Sequence, residues 1–232
     1  GLNITQFATQ VGDLRFNIPF LSKDLIDNLA LEDLEESKTK LLNLFIIFFN
    51  AIYEEMDSMM DWSYVTDASV PQLLTSLVES GVTPNPATQL LSSMINKNIT
   101  TADAIGQLHQ LIGPGITPDP AAQLLSSMID NGWRTEQVLE MMGRIGDAAP
   151  GVTPDLAAQL LSSMINKNWN PQVIEGVITS QFNQIFEMLG KNGNLAADTI
   201  SNLIKRPEVT NPNILNSLLD FARQAASDQL PN

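Results

Sequence analysis

The sequence contains no cysteine, a single histidine and few cations. Its 232 residues include 12 Lys and Arg against 26 Asp and Glu, which gives a net charge of −14. Because phosphate neutralisation supplies most of the affinity of nucleic-acid-binding proteins, this balance disfavours nucleic acids as partners, and it disfavours anionic membrane surfaces for the same reason. The absence of cysteine excludes disulfides, thiol nucleophiles and cysteine-ligated metals.

Long hydrophobic runs are also missing. The longest, residues 41–52, has about twelve residues and contains two asparagines, whereas a transmembrane helix needs roughly twenty apolar residues. We therefore expect no membrane span. The chain starts at Gly1 without a basic and apolar leader, which is compatible either with earlier removal of a signal peptide or with an artificial start introduced for expression. These features favour an extracellular over a cytoplasmic location and leave the compartment open.

The sequence does contain one segment that occurs three times in nearly identical form. The copies begin at Gly81, Gly115 and Gly151 and share the pattern Gly-(Val/Ile)-Thr-Pro-(Asn/Asp)-x-Ala-x-Gln-Leu-Leu-Ser-Ser-Met-Ile. Their glycines lie 34 and then 36 residues apart, which is the period of helical-hairpin arrays. Such close copying of apolar positions predicts a stackable structural unit, and it favours a surface for binding or assembly over a reaction.

The second copy illustrates the predicted helix. Thr117 is expected to be the N-cap residue, with Pro118 in the first helical position. Apolar residues at helical spacing predict one buried stripe, made of Ala121, Leu124, Leu125, Met128 and Ile129. The sequence Asn131-Gly132 then supplies residues that tolerate the left-handed conformation of a helix C-terminus, and the other two copies have Asn-Lys-Asn there.

A second helix is expected after each copy. Thr100 and Thr135 are predicted N-caps, the latter with Val138, Leu139, Met142 and Ile145 facing inward. Asn170-Pro171 opens a longer helix that reaches Gly190. Residues 209–212 repeat the Val-Thr-Pro entry in altered form, so a final helix is predicted there with Leu215, Leu218, Leu219 and Ala222 as its stripe.

Together these patterns predict an all-α protein built from antiparallel helical-hairpin repeats, either an α-solenoid or a compact helical bundle. Residues 1–66 are predicted to form an N-terminal helical segment with a long apolar helix near residues 38–60. The hairpin repeats occupy residues 67–190, with units near 81–114, 115–150 and 151–190. Residues 191–232 are predicted to form C-terminal capping helices.

The hairpin period and the junction Gly151-Val152-Thr153-Pro154-Asp155 resemble those of tetratricopeptide and pentatricopeptide repeats over roughly residues 81–190. The resemblance implies an array of helical hairpins. Pentatricopeptide units usually carry a Tyr and a base-reading polar residue early in the first helix, where this chain has Ala158 and Leu160. The Trp-Leu-Gly and Ala-Phe signatures of tetratricopeptide repeats are absent. We therefore infer the helical-hairpin architecture from the resemblance, but we infer neither RNA binding nor any peptide-binding residue.

Few residues are candidates for chemistry. His109 stands alone, without a carboxylate and nucleophile placed beside it, and is interpreted as a surface or packing residue. Two acidic groups, within residues 32–36 and 54–61, lack the calcium-loop pattern and are interpreted as solvated helix faces. The serine pairs are interpreted as small residues for close helix packing or as a repeated exposed face: Ser92-Ser93, Ser126-Ser127 and Ser162-Ser163. We assign no catalytic residue, metal ligand or cofactor.

Three hypotheses for function follow. The leading one is a non-enzymatic helical repeat protein that binds a protein partner or associates with its own copies. The second is a carrier of a small hydrophobic ligand, lipid or pigment, between helices; the nine methionines and the apolar residues 41–60 motivate it. The third is a secreted structural protein. An enzyme ranks last, because no catalytic set is present in the sequence.

Overall fold

The computed structural model of the chain describes residues 76–228, and these residues are helical without any strand. This confirms the predicted all-α class. Predictions for residues 1–75, including the long apolar helix and the acidic groups, lie outside the described residues. Residues 76–79 are helical and lead through a turn to the first complete helix, with the Val82 N–H donating to the Leu77 carbonyl oxygen at 3.0 Å.

Nine α-helices and one π-helical segment follow within the described part of the chain. In chain order they are α1 (Pro84–Lys97), α2 (Thr101–Ile112), α3 (Pro118–Asn131), α4 (Thr135–Ala148), α5 (Pro154–Asn166), α6 (Pro171–Val177), the π-helical segment (Ile178–Phe182), α7 (Asn183–Met188), α8 (Gly193–Ile204) and α9 (Pro212–Asp228).

The chain divides into two compact units, residues 1–109 and 110–232, and the division falls inside α2. In the described part of the first unit, α1 buries one apolar face. Its buried side chains share helical spacing: Ala87, Leu90, Leu91 and Met94. Leu108 of α2 is also buried. This is the amphipathic pattern expected for helices that pack against neighbours.

The second unit contains two layers of helices. In one layer α3 packs along α5, and α5 packs along α8. In the other layer α4 and α9 both contact the π-helical segment, and α4 also contacts α5. The helices that begin with the copied Thr-Pro-Asp sequence therefore lie side by side, and the helices that follow them form the second layer.

The predicted stripe of α3 is confirmed. Its five side chains are buried, with Leu124 and Leu125 fully inaccessible and Ile129 8% exposed. In α5, Leu160 and Leu161 at the equivalent positions are also fully buried. Burial of one leucine side chain is worth about 1.5–3 kcal/mol, so these copied positions dominate the stability of the layer.

The predicted helix ends are also confirmed. Gly132 has φ 71° and closes α3 with its N–H donating to the Met128 carbonyl oxygen. Asn98 and Asn168, which end the equivalent helices, have φ values of 53° and 59°. Asparagine is one of the few residues other than glycine that tolerates this left-handed conformation. The Asn-Lys-Asn sequences thus replace glycine at two of the three helix ends.

Two predictions for α4 are wrong in detail. The helix begins at Thr135, so the N-cap is Arg134, whose N–H donates to Gln137 Oε1 at 3.0 Å. The buried face consists of Val138, Met141 and Ile145, whereas Leu139 and Met142 are only half-buried. The helix α4 packs against α5 and against the π-helical segment.

The long helix after Asn170 is confirmed, with a π-helical segment in its middle that the sequence did not predict. Asn170 caps it, since its Oδ1 accepts from the Val173 N–H at 2.9 Å. The extra residue of a π segment shifts the helical register. Ile178, Phe182 and Phe186 stay buried across the segment, although they are spaced by four residues at each step.

Candidate functional site

The contact between α3 and α5 is fixed at its start by one aspartate. Asp155, in the first turn of α5, accepts from the Thr117 N–H at 2.7 Å through Oδ1 and from the Thr117 hydroxyl at 2.8 Å through Oδ2. Thr117 is the N-cap residue of α3 as predicted, but its side chain makes no capping bond. The hydroxyl is used between helices instead, which sets the register of α5 on α3.

The contact between α5 and α8 repeats this arrangement with weaker chemistry. Asn194, in the first turn of α8, accepts from the Thr153 N–H at 2.9 Å. The Thr153 hydroxyl caps its own helix and accepts from the Leu156 N–H at 3.4 Å. At this contact, one hydrogen bond to a neutral amide oxygen takes the place of the two hydrogen bonds to a carboxylate at the contact of α3 with α5. Hydrogen bonds to charged groups are the stronger of the two kinds.

Gly193 permits the close approach of α8 to the start of α5. A Cβ atom at this position would lie 2.7 Å from the Val152 backbone nitrogen, 2.8 Å from the Pro150 carbonyl oxygen and 2.9 Å from the Ala149 carbonyl oxygen. All three are backbone atoms, so no side chain can move aside to make room. Any residue other than glycine must therefore displace α8 from α5.

The serine pairs lie in helix contacts, which supports the close-packing interpretation over the exposed face. Ser127 and Ser163 are buried, and each hydroxyl donates to the carbonyl oxygen four residues earlier, at 3.2 and 2.9 Å. Ser163 Oγ also shares a 3.1 Å hydrogen bond with Ser201 Oγ of α8. Within the described residues, the buried Ser126 and Ser162 Oγ atoms have no hydrogen-bond partner.

The far ends of α5 and α8 are joined as well. Lys167 Nζ donates to the Arg206 carbonyl oxygen at 2.9 Å, and Trp169 Nε1 donates to the Thr210 carbonyl oxygen at 3.3 Å. The Trp169 side chain is buried, as expected for an apolar residue in the turn between two helices. Bonds at the start, middle and end show that α5 and α8 run parallel along their whole length.

Polar side chains also connect the second layer. Arg144 of α4 bonds to Glu140 on its own helix at 2.8 Å and to Glu175 of α6. The hydrogen bond with Glu140, reinforced by the charge of Glu175, raises the pKa of Arg144. Arg223 of α9 donates to Gln184 of α7. These bonds link α4 to α6 and α7 to α9.

The remaining predicted candidates are not brought together. His109 is exposed on α2. Most described methionines are core residues, since Met94, Met128 and Met164 are fully buried, whereas Met188 is 45% exposed. Among residues 76–228, apart from the masked side chains, no group of three His, Asp or Glu residues is arranged to hold a metal ion. The polar groups discussed above hold helices to one another.

Sequence reasoning missed the equivalence of α8 with α5. The pattern Leu195-Ala196-Ala197 restates Leu156-Ala157-Ala158, and Ser201 restates Ser162 in the same alignment. Gly193 and Asn194 replace the Pro-Asp pair, which hid the match. The final helix predicted at residue 212 is confirmed as α9. Its predicted stripe is only partly buried, since Leu215 and Leu219 are buried but Leu218 is half-buried and Ala222 is exposed.

Large apolar side chains are exposed mainly near the C-terminal helices. Phe221 of α9 is 72% exposed and Leu195 of α8 is 46% exposed.

None of the described helices is both long and apolar enough to traverse a bilayer. No protein-family model, curated protein or solved structure matches the chain, so its likeness to the repeat families rests on the hairpin period and the junction residues alone.

Proposed function

We propose that this protein is a non-enzymatic helical scaffold that binds protein partners, its own copies included. The proposal is supported above all by one observation: the side-by-side helices α3, α5 and α8 are joined by equivalent hydrogen bonds at equivalent positions. This recurrence supports the idea that the related helices form one layered binding surface. Such stacked arrays serve as binding surfaces in many proteins.

The use of the polar side chains supports the same proposal. Asp155 and Asn194 accept bonds from the preceding helix, and Arg144 joins α4 to α6. A catalytic acid or base must instead lie free to reach a substrate and carry a pKa suited to its task. Asp155 and Glu175 are engaged in joining helices instead.

A carrier of a small hydrophobic ligand is the alternative from another class. Its main motive was residues 41–60, which lie outside the described residues, and the burial of Met94, Met128 and Met164 in packed cores gives it no further support. A secreted structural protein is a special case of self-association. The two remaining classes, scaffold and carrier, therefore differ in whether the purified protein retains a small molecule.

Native mass spectrometry of protein purified from its natural source tests this difference. A scaffold is expected at the mass of the chain or of an integral number of chains. A constant mass excess that disappears on denaturation would contradict the proposal and favour the carrier. Light scattering between pH 7 and pH 5 adds a test of assembly, because protonation of carboxylates reduces repulsion between copies with a net charge of −14.

A further inference from the structure

The turn between α1 and α2 carries a modification motif. Asn98-Ile99-Thr100 fits the pattern Asn-x-(Ser/Thr), with x other than proline, which accepts N-linked oligosaccharides. The pattern occurs at one other place in the sequence, Asn3-Ile4-Thr5, which lies outside the described residues. An oligosaccharide is bulky and hydrophilic, so the folded protein must leave room for it at the surface. The geometry of the turn therefore decides whether the motif can carry one.

The side chain of Asn98 is exposed just after the end of α1. Its backbone has φ 53°, the left-handed conformation in which helices commonly end. The next residue closes the turn, because the Ile99 N–H donates to the Met94 carbonyl oxygen at 3.0 Å. Since a backbone bond holds the turn, a group attached to Asn98 Nδ2 can extend into solvent without displacing a helix.

The hydroxyl of the motif belongs to Thr100, which is exposed as well. Thr100 Oγ1 accepts from the Asp103 N–H at 3.2 Å and thereby caps α2. Capping alone does not require threonine, because Asn170 at the equivalent position of the third copy accepts from the Val173 N–H at 2.9 Å. Thr100 satisfies both the cap and the acceptor motif, and substitution can separate these two roles.

The equivalent turn of the third copy provides a comparison within the same chain. Asn168 is exposed and has φ 59°, so it shares the backbone conformation and the accessibility of Asn98. It is followed by Trp169 and Asn170, and the hydroxyl two residues later is missing. Of these two matched turns, only the one in the first copy has the complete acceptor motif.

We propose that Asn98 carries an N-linked oligosaccharide, attached as the chain passes through a secretory membrane system. The co-reactant is an oligosaccharide joined to a membrane lipid through a diphosphate. Asn98 Nδ2 forms a bond to the anomeric carbon of the first sugar and loses one proton. The bond from that carbon to the diphosphate oxygen breaks, and its electron pair leaves with the lipid diphosphate. The attached sugar then keeps protein partners away from this end of α1.

Peptide mapping of the full chain from its natural source tests the proposal. The peptide that contains Asn98 is expected at a mass raised by an oligosaccharide. Treatment with peptide N-glycosidase should remove this excess and leave an aspartate at position 98. Tryptic cleavage after Lys97 separates this peptide from the one with Asn3, so the two motifs are scored independently. A peptide found only at its unmodified mass would overturn the proposal.

Secretion of the full chain from a eukaryotic host gives a second readout, with Asn3→Gln in every variant to remove the other motif. Thr100→Asp keeps an N-capping side chain and removes the hydroxyl, so the mass shift should be lost while circular dichroism stays unchanged. Thr100→Ser keeps both features and should retain the shift. Asn168 is the internal control and is expected to stay unmodified. A shift that persists in Thr100→Asp would refute the acceptor role of this motif.

This inference is independent of the proposed scaffold function, and the two can fail separately. A covalent sugar stays on the denatured chain, whereas a carried small molecule is released from it. An excess mass that survives denaturation and disappears with the glycosidase supports the sugar and leaves the scaffold proposal standing. An unmodified Asn98 in a protein that still associates refutes the sugar alone.

Discussion

The two helix contacts of the first layer, α3 with α5 and α5 with α8, occupy the same positions and differ in strength. At the first, Asp155 accepts two bonds from Thr117, and fully buried leucines lie on both helices. At the second, Asn194 accepts one bond from Thr153, and Thr199 stands where α5 has Leu160. At the contact of α5 with α8, Gly193 allows the backbones to approach closely, and less apolar surface is buried because Thr199 replaces a leucine.

The same difference appears in side-chain burial. Leu160 of α5 is fully buried, whereas Thr199 at the equivalent position of α8 is half-buried. Leu195 of α8 is exposed, and so is Phe221 of α9, the most exposed large apolar side chain among the described residues.

The largest expected effect distinguishes the two positions directly. Leu160→Ala should lower the free energy of unfolding by about 2–5 kcal/mol, because it leaves a cavity in a fully buried site. Thr199→Ala, at the equivalent position of α8, should lower it by less than about 1 kcal/mol. Urea unfolding followed by circular dichroism measures both. Similar losses for the two variants would show that the contacts are equally packed.

Gly193→Ala tests the close approach of α8. The added Cβ would meet three backbone atoms within 3 Å, and we expect a loss of about 1–3 kcal/mol. Gly176→Ala is the matched control, because Gly176 lies in α6 with open space around its Cα. Alanine is the better helix former by up to about 1 kcal/mol, so this variant should gain stability. A harmless Gly193→Ala would refute the tight contact.

The hydrogen bonds of the two contacts should differ by a smaller amount. Asp155→Ala removes two bonds to a partly exposed carboxylate and is expected to lose about 1–2 kcal/mol. Asn194→Ala removes one interhelical bond and is expected to lose about 0.5–1 kcal/mol. Asp155→Asn should fall between wild type and Asp155→Ala. Reversal of this order in urea unfolding would contradict the register role assigned to Asp155.

Arg144→Gln should have the smallest effect, because its partners in the second layer are exposed to solvent. A raised pKa means that the folded state favours the protonated form, so the contribution of Arg144 is complete at every pH below the pKa of the unfolded chain. The difference in thermal midpoint between wild type and variant should therefore be small and equal at pH 7 and pH 10. A difference that grows toward pH 10 would contradict this.

Much of the first layer could be predicted from the sequence, because its signals are local. Helical spacing fixed the stripe from Ala121 to Ile129, and Gly132 and Asn168 marked helix ends through their tolerance of positive φ. Contacts between helices left no such local signal. The residues around Thr117 predict that it caps its own helix. Its hydroxyl instead donates to Asp155, which lies 38 residues later in the chain, and this contact could not be predicted locally.

The C-terminal region was harder to predict for the same reason. Glycine is required at position 193 because the backbone of residues 149–152 leaves no room for a Cβ atom. That requirement cannot be recognised from the sequence around Gly193. The alanines and serine that follow did carry the match. The π-helical segment contacts α4, α8 and α9, and the sequence analysis did not predict it. In α9, helical spacing correctly predicted that Leu215 and Leu219 are buried, whereas Leu218 is half-buried and Ala222 is exposed.

A designed disulfide tests most directly whether α8 packs on α5 in the register that makes it a further copy. Ser163 Oγ and Ser201 Oγ lie 3.1 Å apart, and the chain contains no cysteine. The double variant Ser163→Cys, Ser201→Cys should form an intramolecular disulfide in high yield and unfold at a higher temperature when oxidised. Ser163→Cys with Asn202→Cys, one residue out of register, should not. Crosslinking of the second pair and not the first would contradict the stacked arrangement on which the account depends.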